Sequence, residues 1–239
     1  MAPRRILGVF AHPDDETSAC GGSFSKYAAQ GAEIAVVTAT RGEKGHLGTG
    51  GLVIPRPDLP RVREEEQRAV ARLLGIRDIV YLGYVDGEVK HAPVAEVTDR
   101  VLAVMRRVRP DVVVTFGPLG ISRHDDHIAV HRAATEAFLR YRTNGAGPAL
   151  YYVAIPKEIA RRFELDLDGV ETEPTTLIDI GPQRALKVQA LRTYRSQQDA
   201  QELAEMFERL PEAFEAFHQA HPSPGDGALR TGFWQERLT

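Results

Sequence analysis

Short apolar runs alternate with longer amphipathic segments along the first part of the chain. Residues 6–11 and 34–39 are continuous apolar runs, which are typical of buried strands. Residues 18–30, between them, mix small and apolar side chains in a helical pattern that Gly31 ends. A strand, a helix and a strand in this order predict a right-handed parallel crossover, the building unit of an α/β fold.

The same alternation continues to about residue 210. It predicts further helices at 61–74, 94–108 and 128–141, further strands at 79–82, 112–116, 150–155 and 176–180, and closing helices within 184–210. No internal repeat and no composition break marks a linker. The sequence therefore predicts a single-domain, Rossmann-like three-layer α/β sandwich with a mainly parallel sheet over residues 1–239, and an extended, turn-rich C-terminal tail from about residue 222.

A ligand is expected at the carboxyl ends of the predicted parallel strands. The segments that follow residues 11, 39, 82 and 116 should therefore border one crevice. Residues 41–58 are rich in glycine and proline and predict a long loop beside that crevice. We expect residues 44–59 to act as a lid that is hinged at its glycines.

Composition and charge exclude several classes of function. A net charge of −3 at pH 7 gives no electrostatic footprint for nucleic acid, and no apolar run approaches the length of a membrane helix. The single cysteine, Cys20, excludes an intramolecular disulfide and a zinc–thiolate site, and it predicts a reducing compartment. We therefore expect a cytoplasmic protein that has neither nucleic acid nor a membrane as a partner.

A dense group of metal-binding residue types follows the first predicted strand. His12, Asp14, Asp15 and Glu16 place one imidazole and three carboxylates within five consecutive positions. Carboxylates this close raise one another's pKa values, whereas a divalent cation turns their repulsion into coordination. The alternative interpretation is a helix start, because acidic residues favour the first turn of a helix and Pro13 suits it too.

A second group follows the fourth predicted strand and comprises His124, Asp125, Asp126, His127 and His131. Its histidines are spaced by three and four residues, so a helix would present them along one face. Both groups reach the same edge of the sheet. His12, Asp15 and one of the later histidines would supply two nitrogens and one oxygen, the ligand set of a catalytic zinc. Such a site also accepts other first-row divalent ions.

These motifs resemble the LmbE/PIG-L family of zinc-dependent N-acetylglucosaminyl deacetylases. The resemblance rests mainly on residues 11–16 and 123–127, which are specific as a pair. Further matches follow in the same order at residues 20–22, 40–43, 63–66, 74–75, 82–84, 86–87 and, more weakly, 195–197. The resemblance therefore covers most of the chain.

The resemblance implies a role for each residue of the two motifs. Zinc would be held by three ligands, His12, Asp15 and His127. Asp14 would be the general base, and His124 would protonate or stabilise the tetrahedral intermediate while Asp126 orients it. His131 is the rival ligand, although a packing role suits it better under the family pattern.

The resemblance also implies the substrate: an N-acetylglucosamine-containing molecule, such as N-acetylglucosaminyl-malate, that loses its acetyl group. Four residues are candidates to bind it, Arg41, Arg63, Asp86 and Arg123, and each could equally form a structural ion pair. Arg123 is similar to the arginine of the bacillithiol-pathway deacetylases, which implies a contact with malate. Asp125 replaces the usual proline, and Tyr194 replaces a frequent histidine, so we assign Tyr194 no catalytic role.

Three alternative functions are considered, and an oligomeric state is also expected. A dinucleotide-dependent oxidoreductase lacks its glycine fingerprint here, because residues 12–15 occupy that turn and their acids would repel a pyrophosphate. An amidase of the same family that acts on a thiol conjugate or another acylated amine, and a non-catalytic sugar-binding protein, both remain open. Related enzymes imply a homo-oligomer, a trimer or a hexamer.

Overall fold

A computed structural model describes residues 2–142, 147–224 and 228–234. Its strands are β1 (Arg5–Phe10), β2 (Glu33–Thr38), β3 (Ile76–Tyr81), β4 (Val112–Thr115), β5 (Ala149–Ala154), β6 (Thr176–Asp179) and β7 (Phe214–His221). Within those residues the strands form one seven-stranded sheet with the order β3-β2-β1-β4-β5-β7-β6. The order reverses between β1 and β4, which makes this edge the place where a doubly wound sheet opens a crevice.

The sheet is parallel from β3 to β5 and antiparallel at one side. β1 pairs in parallel with β2 and with β4, whereas β7 runs antiparallel to both β5 and β6. Helices cover both faces, so the central strands are apolar at nearly every position, and Leu7, Val36 and Val113 are fully buried. The predicted α/β class with a mainly parallel sheet is confirmed.

The helices are α1 (Asp15–Ala29), α2 (Leu59–Leu74), α3 (Val94–Val108), α4 (Asp125–Tyr141), α5 (Lys157–Arg162), α6 (Arg184–Thr193) and α7 (Gln198–Arg209). α3 and α4 pack against each other, and α1, α2 and α6 form a second packed group that α7 joins through α6. Right-handed crossovers on either side of β1 place these two groups on opposite faces of the sheet. The result is the predicted three-layer sandwich.

Two elements escape the sequence patterns. β7 was not predicted, because Glu215 and Gln219 occupy buried positions that an apolar pattern would fill. The short helix α5 was not predicted either. Helices α1 and α4 begin three residues earlier than expected, so both chemical motifs lie in the first turns of helices.

The last described segment packs on the molecule. Phe233 is buried, its backbone N donates to Tyr27 at 2.9 Å, and its carbonyl accepts from Tyr151 at 2.9 Å. The tail predicted from residue 222 falls partly outside the described residues, at 225–227 and 235–239. Within the described parts of the chain, every helix is too short or too polar to span a lipid bilayer.

Candidate active site

The first chemical motif lies at the junction between β1 and α1. β1 ends at Phe10, and Asp14 adopts a positive φ of 108° directly before the helix begins at Asp15. This turn lets one oxygen of Asp15 accept from the backbone N of Ala11 at 3.2 Å and of His12 at 2.7 Å. The carboxylate of Asp15 is thereby fixed beneath the imidazole of His12.

The second motif lies at the junction between β4 and α4. His124 precedes the helix as its N-cap, and its Nδ1 accepts from the backbone N of Asp126 at 3.2 Å. His127 lies in the first turn, where its Nδ1 donates to the Gly120 carbonyl at 2.9 Å and its ring stacks on Phe116. Since β1 and β4 are neighbours, the two junctions face each other.

Three donor groups converge between these junctions. His12 Nδ1 lies 3.2 Å from His127 Nε2, and each lies near an oxygen of Asp15, at 3.6 Å and 3.4 Å respectively. One nitrogen of His124 also lies within 4.8 Å of nitrogens of His12 and His127. The structure thus brings together the three residues that the sequence predicts as metal ligands.

Hydrogen bonds on the far side of each imidazole show that these donors suit a metal. A carbonyl can only accept, so the bond to Gly120 places the proton of neutral His127 on Nδ1. His12 Nε2 faces two carboxylates, which places its proton on Nε2. When both imidazoles are neutral, their two lone pairs face each other beside Asp15, an arrangement that a shared cation stabilises. Two imidazole nitrogens and one carboxylate match the donor set of catalytic zinc.

Asp126 contacts two histidines of the site, the expected His124 and also His12. Its carboxylate lies 3.3 Å from His12 Nε2 and accepts from the backbone N of Gly87 at 2.6 Å and of Val89 at 3.1 Å. Its backbone N donates to His124 Nδ1 at 3.2 Å. Asp126 thus contacts His124 through its backbone, while its buried carboxylate contacts His12, and an orienting role towards His124 stays a prediction.

Asp86 supplies the second carboxylate behind His12. Its Oδ1 lies 3.1 Å from His12 Nε2, and its Oδ2 accepts from the backbone N of Lys44 at 3.0 Å. Although burial alone raises the pKa of Asp86, the contacts with His12 lower it to about 2. Burial alone lowers the pKa of His12, yet its bonds to Asp126, Asp15 and Asp86 raise that pKa well above its ordinary value. The buried carboxylates thus make His12 strongly basic.

Asp14 lies beside the three donors and is held by Arg63. Arg63 Nη2 donates to Asp14 Oδ2 at 2.8 Å and to the Pro13 carbonyl at 2.5 Å, and its Nη1 donates to the Gly42 carbonyl at 3.2 Å. Burial raises the pKa of Asp14 well above its ordinary value, while Arg63 lowers it and Asp15 raises it further. The carboxylate is therefore oriented and poised to take up a proton.

The predicted substrate-binding residues divide into two kinds. Arg63 and Asp86 are buried and contact groups of the site itself. Arg41 and Arg123 each have 46% of their side chain exposed and pair with Glu64 at 2.9 Å and with Asp166 at 2.6 Å. Substrate binding by these four residues stays a prediction.

His131 and the predicted lid loop both make hydrogen bonds to backbone carbonyls of the protein. His131 Nδ1 donates to the Phe116 carbonyl at 2.9 Å, and the ring contacts Tyr152 edge-on. The loop that includes residues 44–59 is tied down by Arg56, which donates to the carbonyls of Glu43 and Gly45. The structure thus gives His131 a packing contact and attaches the loop at its base.

Two buried carboxylates support the site in ways that the sequence did not predict: Glu171, which was missed, and Glu16, whose supporting role was not assigned. Glu171 accepts from the backbone N of Leu119 and of Ile121, so it holds the turn that precedes His124. Glu16 accepts from the backbone N of Asp14 at 3.2 Å and from the Tyr194 hydroxyl at 2.5 Å. Tyr194 therefore supports the first motif through Glu16. The position of Glu16 within the 11–16 motif could have indicated its role, but no local sequence pattern indicates a role for Glu171.

Comparisons with known proteins agree with this geometry. The sequence profile described as "PIG-L: GlcNAc-PI de-N-acetylase" matches residues 7–138. A 1D-myo-inositol 2-acetamido-2-deoxy-alpha-D-glucopyranoside deacetylase of Streptomyces avermitilis is 33% identical, over 82% of this chain and 84% of its own. A probable N-acetyl-alpha-D-glucosaminyl L-malate deacetylase 2 of Bacillus cereus is 31% identical, over 82% and 85%.

Solved structures share the fold. The N,N'-diacetylchitobiose deacetylase of Pyrococcus horikoshii has a TM-score of 0.71 and 25% identity, covering 93% of this chain and 88% of its own. A 4-carboxy-2-hydroxymuconate hydratase of Pseudomonas putida has a TM-score of 0.72 and 21% identity, covering 92% and 98%. The hydratase shows that the fold alone does not decide the reaction, which depends on the residues of the site.

Proposed function

Because the chain belongs to the PIG-L family of GlcNAc-PI de-N-acetylases, we propose that it is a zinc-dependent hydrolase that removes the acetyl group from an N-acetylglucosamine-containing molecule. One observation carries this proposal. His12, Asp15 and His127 converge as a two-nitrogen, one-oxygen donor set, and the oriented carboxylate of Asp14 lies beside them. A hydrolase needs both parts, whereas a protein that only holds an ion does not need Asp14.

His12, Asp15 and His127 would hold the ion. Bound zinc lowers the pKa of a water ligand to about 7 and polarises a carbonyl oxygen. Asp126 and Asp86 accept from Nε2 of His12, which keeps Nδ1 free to ligate and raises its basicity. The Gly120 carbonyl performs the same task for His127.

Asp14 is the general base of the proposed reaction. Arg63 engages its Oδ2, and its other oxygen has no partner in the described part of the chain. That oxygen takes a proton from the attacking water as the water adds to the amide carbon. The bond from Arg63 also prevents the side chain from rotating away.

His124 serves the other side of the amide. Its Nδ1 accepts from the Asp126 backbone N, so a neutral His124 carries its proton on Nε2. No described residue bonds to that Nε2. His124 therefore presents a donor to the oxyanion that develops on the amide oxygen and afterwards to the leaving amine.

The names of the relatives guide the choice of substrate. Both similar enzymes act, by name, on an N-acetylglucosamine unit, linked to inositol in one case and to malate in the other. Arg41 and Arg123 are half-exposed cations beside the site and could bind an anionic aglycone. We propose such a glycoside as the substrate, with Arg63 and Asp86 contacting its sugar hydroxyls.

Two further parts of the proposal rest on the sequence. The single cysteine supports the cytoplasm as the location, and the resemblance to related enzymes supports a homo-oligomer. Zinc is proposed over other divalent ions because two imidazoles and one carboxylate are its usual catalytic set.

Amine release from a small panel tests the proposed function. The panel contains N-acetylglucosamine, its malate and inositol glycosides and diacetylchitobiose, each incubated with chelator-treated and with zinc-reconstituted protein. We expect zinc-dependent release, fastest from one of the two glycosides. Stoichiometric zinc binding without release from any compound would contradict the proposal and favour a non-catalytic role.

A further inference from the structure

An apolar cavity of about 330 Å³ lies directly beside the proposed ligands. Asp14, Asp15 and His127 form part of its wall. The rest comes mainly from the ends of β5 and β7 and from α5 and α7, including Val153, Ile159, Leu203, Met206, Phe207 and Phe214. A group that is bonded to a carbonyl carbon at the metal site can therefore enter this cavity.

The order of the strands gives the cavity its direction and length. Asp14 and Asp15 follow β1, whereas Phe214 begins β7, and β4 and β5 lie between those two strands. Neighbouring strands lie about 4.8 Å apart, so the cavity runs about 14 Å along the sheet edge. An acetyl methyl fills only its first part.

The opposite side of β1 is polar. β2 and β3 lie there, and Arg41 and Asp86 follow them, with Arg63 reaching in from α2. An amide bound between the two sides would place its sugar among these polar groups. Its acyl chain would then point towards β4, β5 and β7, into the apolar cavity.

The charged residues in the far wall of the cavity have protein partners. The Lys187 ammonium is buried, contacts the face of the Phe207 ring and donates to Ser18. Glu215 accepts from the backbone N of Gly22 and of Ser23. The ion pairs of this wall are Lys187–Glu215 at 2.6 Å, Arg162–Glu212 at 2.9 Å and His46–Asp199 at 3.9 Å. An uncharged, apolar occupant therefore fits this space better than a polar aglycone.

We propose that this cavity is an acyl subsite and that the chain hydrolyses N-alkanoyl glucosamines of medium length in preference to the N-acetyl compound. The inference rests on the proposed function, because it needs the same site to cleave the same bond. Water adds to the acyl carbon, the C–N bond breaks, and the products are a medium-chain carboxylate and a protonated amine. Leu203, Met206 and Phe207 are half-buried on α7 and can pack around chains of different length.

A series of N-acyl glucosamines tests the subsite. N-acetyl, N-butanoyl, N-hexanoyl and N-octanoyl glucosamine are compared by amine release from the zinc-reconstituted protein. Burial of each added methylene is expected to raise kcat/KM by about four-fold until the cavity is filled. In the variant Asp14→Asn, in which turnover should be at least about 100-fold slower, the Kd measured by calorimetry should tighten along the same series.

A substitution on α7 links the preference to the cavity. Leu203→Trp fills part of the space and should reduce the ratio of octanoyl to acetyl kcat/KM at least ten-fold. Glu205→Trp is the matched control, because Glu205 lies exposed on the same helix and does not line the cavity. The control should keep the ratio of the unchanged protein.

Each outcome separates the inference from the proposed function. Release of acetate from the N-acetyl compound with a kcat/KM that stays flat or falls with chain length would overturn the acyl subsite alone. No release at any chain length, together with no release from the malate and inositol glycosides of N-acetylglucosamine, would overturn the proposed function. An equal loss of the ratio in both tryptophan variants would show that the cavity does not set the preference.

Discussion

Asp14 holds a φ of 108°, a conformation that L-residues rarely adopt and that costs on the order of 1–3 kcal/mol. Two buried partners maintain it: Arg63 binds its carboxylate, and Glu16 accepts from its backbone N. In this conformation the Asp14 carboxylate reaches Arg63 while Asp15 begins the helix. Backbone strain is therefore concentrated at the proposed general base.

The roles of Asp14 and His127 can be separated by substitution. Asp14→Asn should retain zinc and lose at least about 100-fold in kcat, because asparagine tolerates a positive φ but cannot accept the proton. His127→Ala should lose zinc as well as activity, because a ligand is removed. Metal content by atomic emission and kcat measure the two effects. Equal loss of metal in both variants would refute the assignment.

Asp126 should tune the affinity for the metal. Asp126→Asn removes a carboxylate that orients His12, so the Kd for zinc should rise by about 10- to 100-fold in a chelator competition assay. Asp125→Asn is the control, since Asp125 is exposed and pairs only with Lys90 at the surface. Similar affinity in both variants would contradict the support role of Asp126.

At the scale of elements, the loop after β2 leaves room for the Arg63 guanidinium at Gly42. Its φ of 68° suits glycine, and a Cβ there would overlap the Arg63 guanidinium. Gly42→Ala should therefore displace Arg63 from Asp14 and lower kcat/KM at least ten-fold.

Gly50→Ala controls for backbone strain. Gly50 has a φ of 56° in the same loop, and a Cβ there meets no atom within 4 Å. Both substitutions place an alanine at a positive φ, which costs about 1–2 kcal/mol of stability, but only the new Cβ at position 42 overlaps Arg63. Equal activity of the two variants, measured with the same substrate, would show that Arg63 does not position Asp14.

The elements that local patterns define were predictable from the sequence. The buried strands before both motifs are apolar runs in the sequence. His124 and His127 are three residues apart, so a helix that begins there places both side chains on the same face. β7 was not predictable in this way, because Glu215 is buried through bonds to Lys187 and to backbone groups of α1. Only the tertiary fold supplies those partners.

The same distinction applies to the site. The predicted donors converge because His12 and Asp15 lie at the junction after β1, His127 lies in the first turn of the helix after β4, and these two strands are neighbours. The contact between the Asp126 carboxylate and His12 was not predicted, since it depends on the packing of β1 against β4. Glu171 reaches the site from a segment 50 residues away from Ile121, and no local pattern carries that contact.

At the scale of the whole molecule, the last described segment closes the core. Phe233 packs against Tyr27, Tyr151 and Phe217. Phe233→Ala should lower the free energy of unfolding by about 3–5 kcal/mol in urea titration, because it leaves a cavity. Leu229→Ala is the control, since Leu229 is 55% exposed. A loss below about 1 kcal/mol for Phe233→Ala would show that the segment does not complete the core.

The architecture joins two motifs that lie far apart in the chain. His12 and His127 are separated by 115 residues, yet they meet because β1 and β4 are neighbours at the point where the strand order reverses. The polar groups after β2 and β3 lie on one side of this meeting point, and the apolar cavity lies on the other. The fold thereby offers an amide two chemically different sides.

Titration of the metal-free protein with zinc tests the central claim most directly. Release of glucosaminyl-malate and acetate from N-acetylglucosaminyl-malate is followed while bound zinc is measured in the same samples. We expect equimolar products and a rate that rises linearly to one zinc per chain, with no rise in His127→Ala. Release that does not depend on zinc, or none from any N-acyl glucosamine at one zinc per chain, would contradict it.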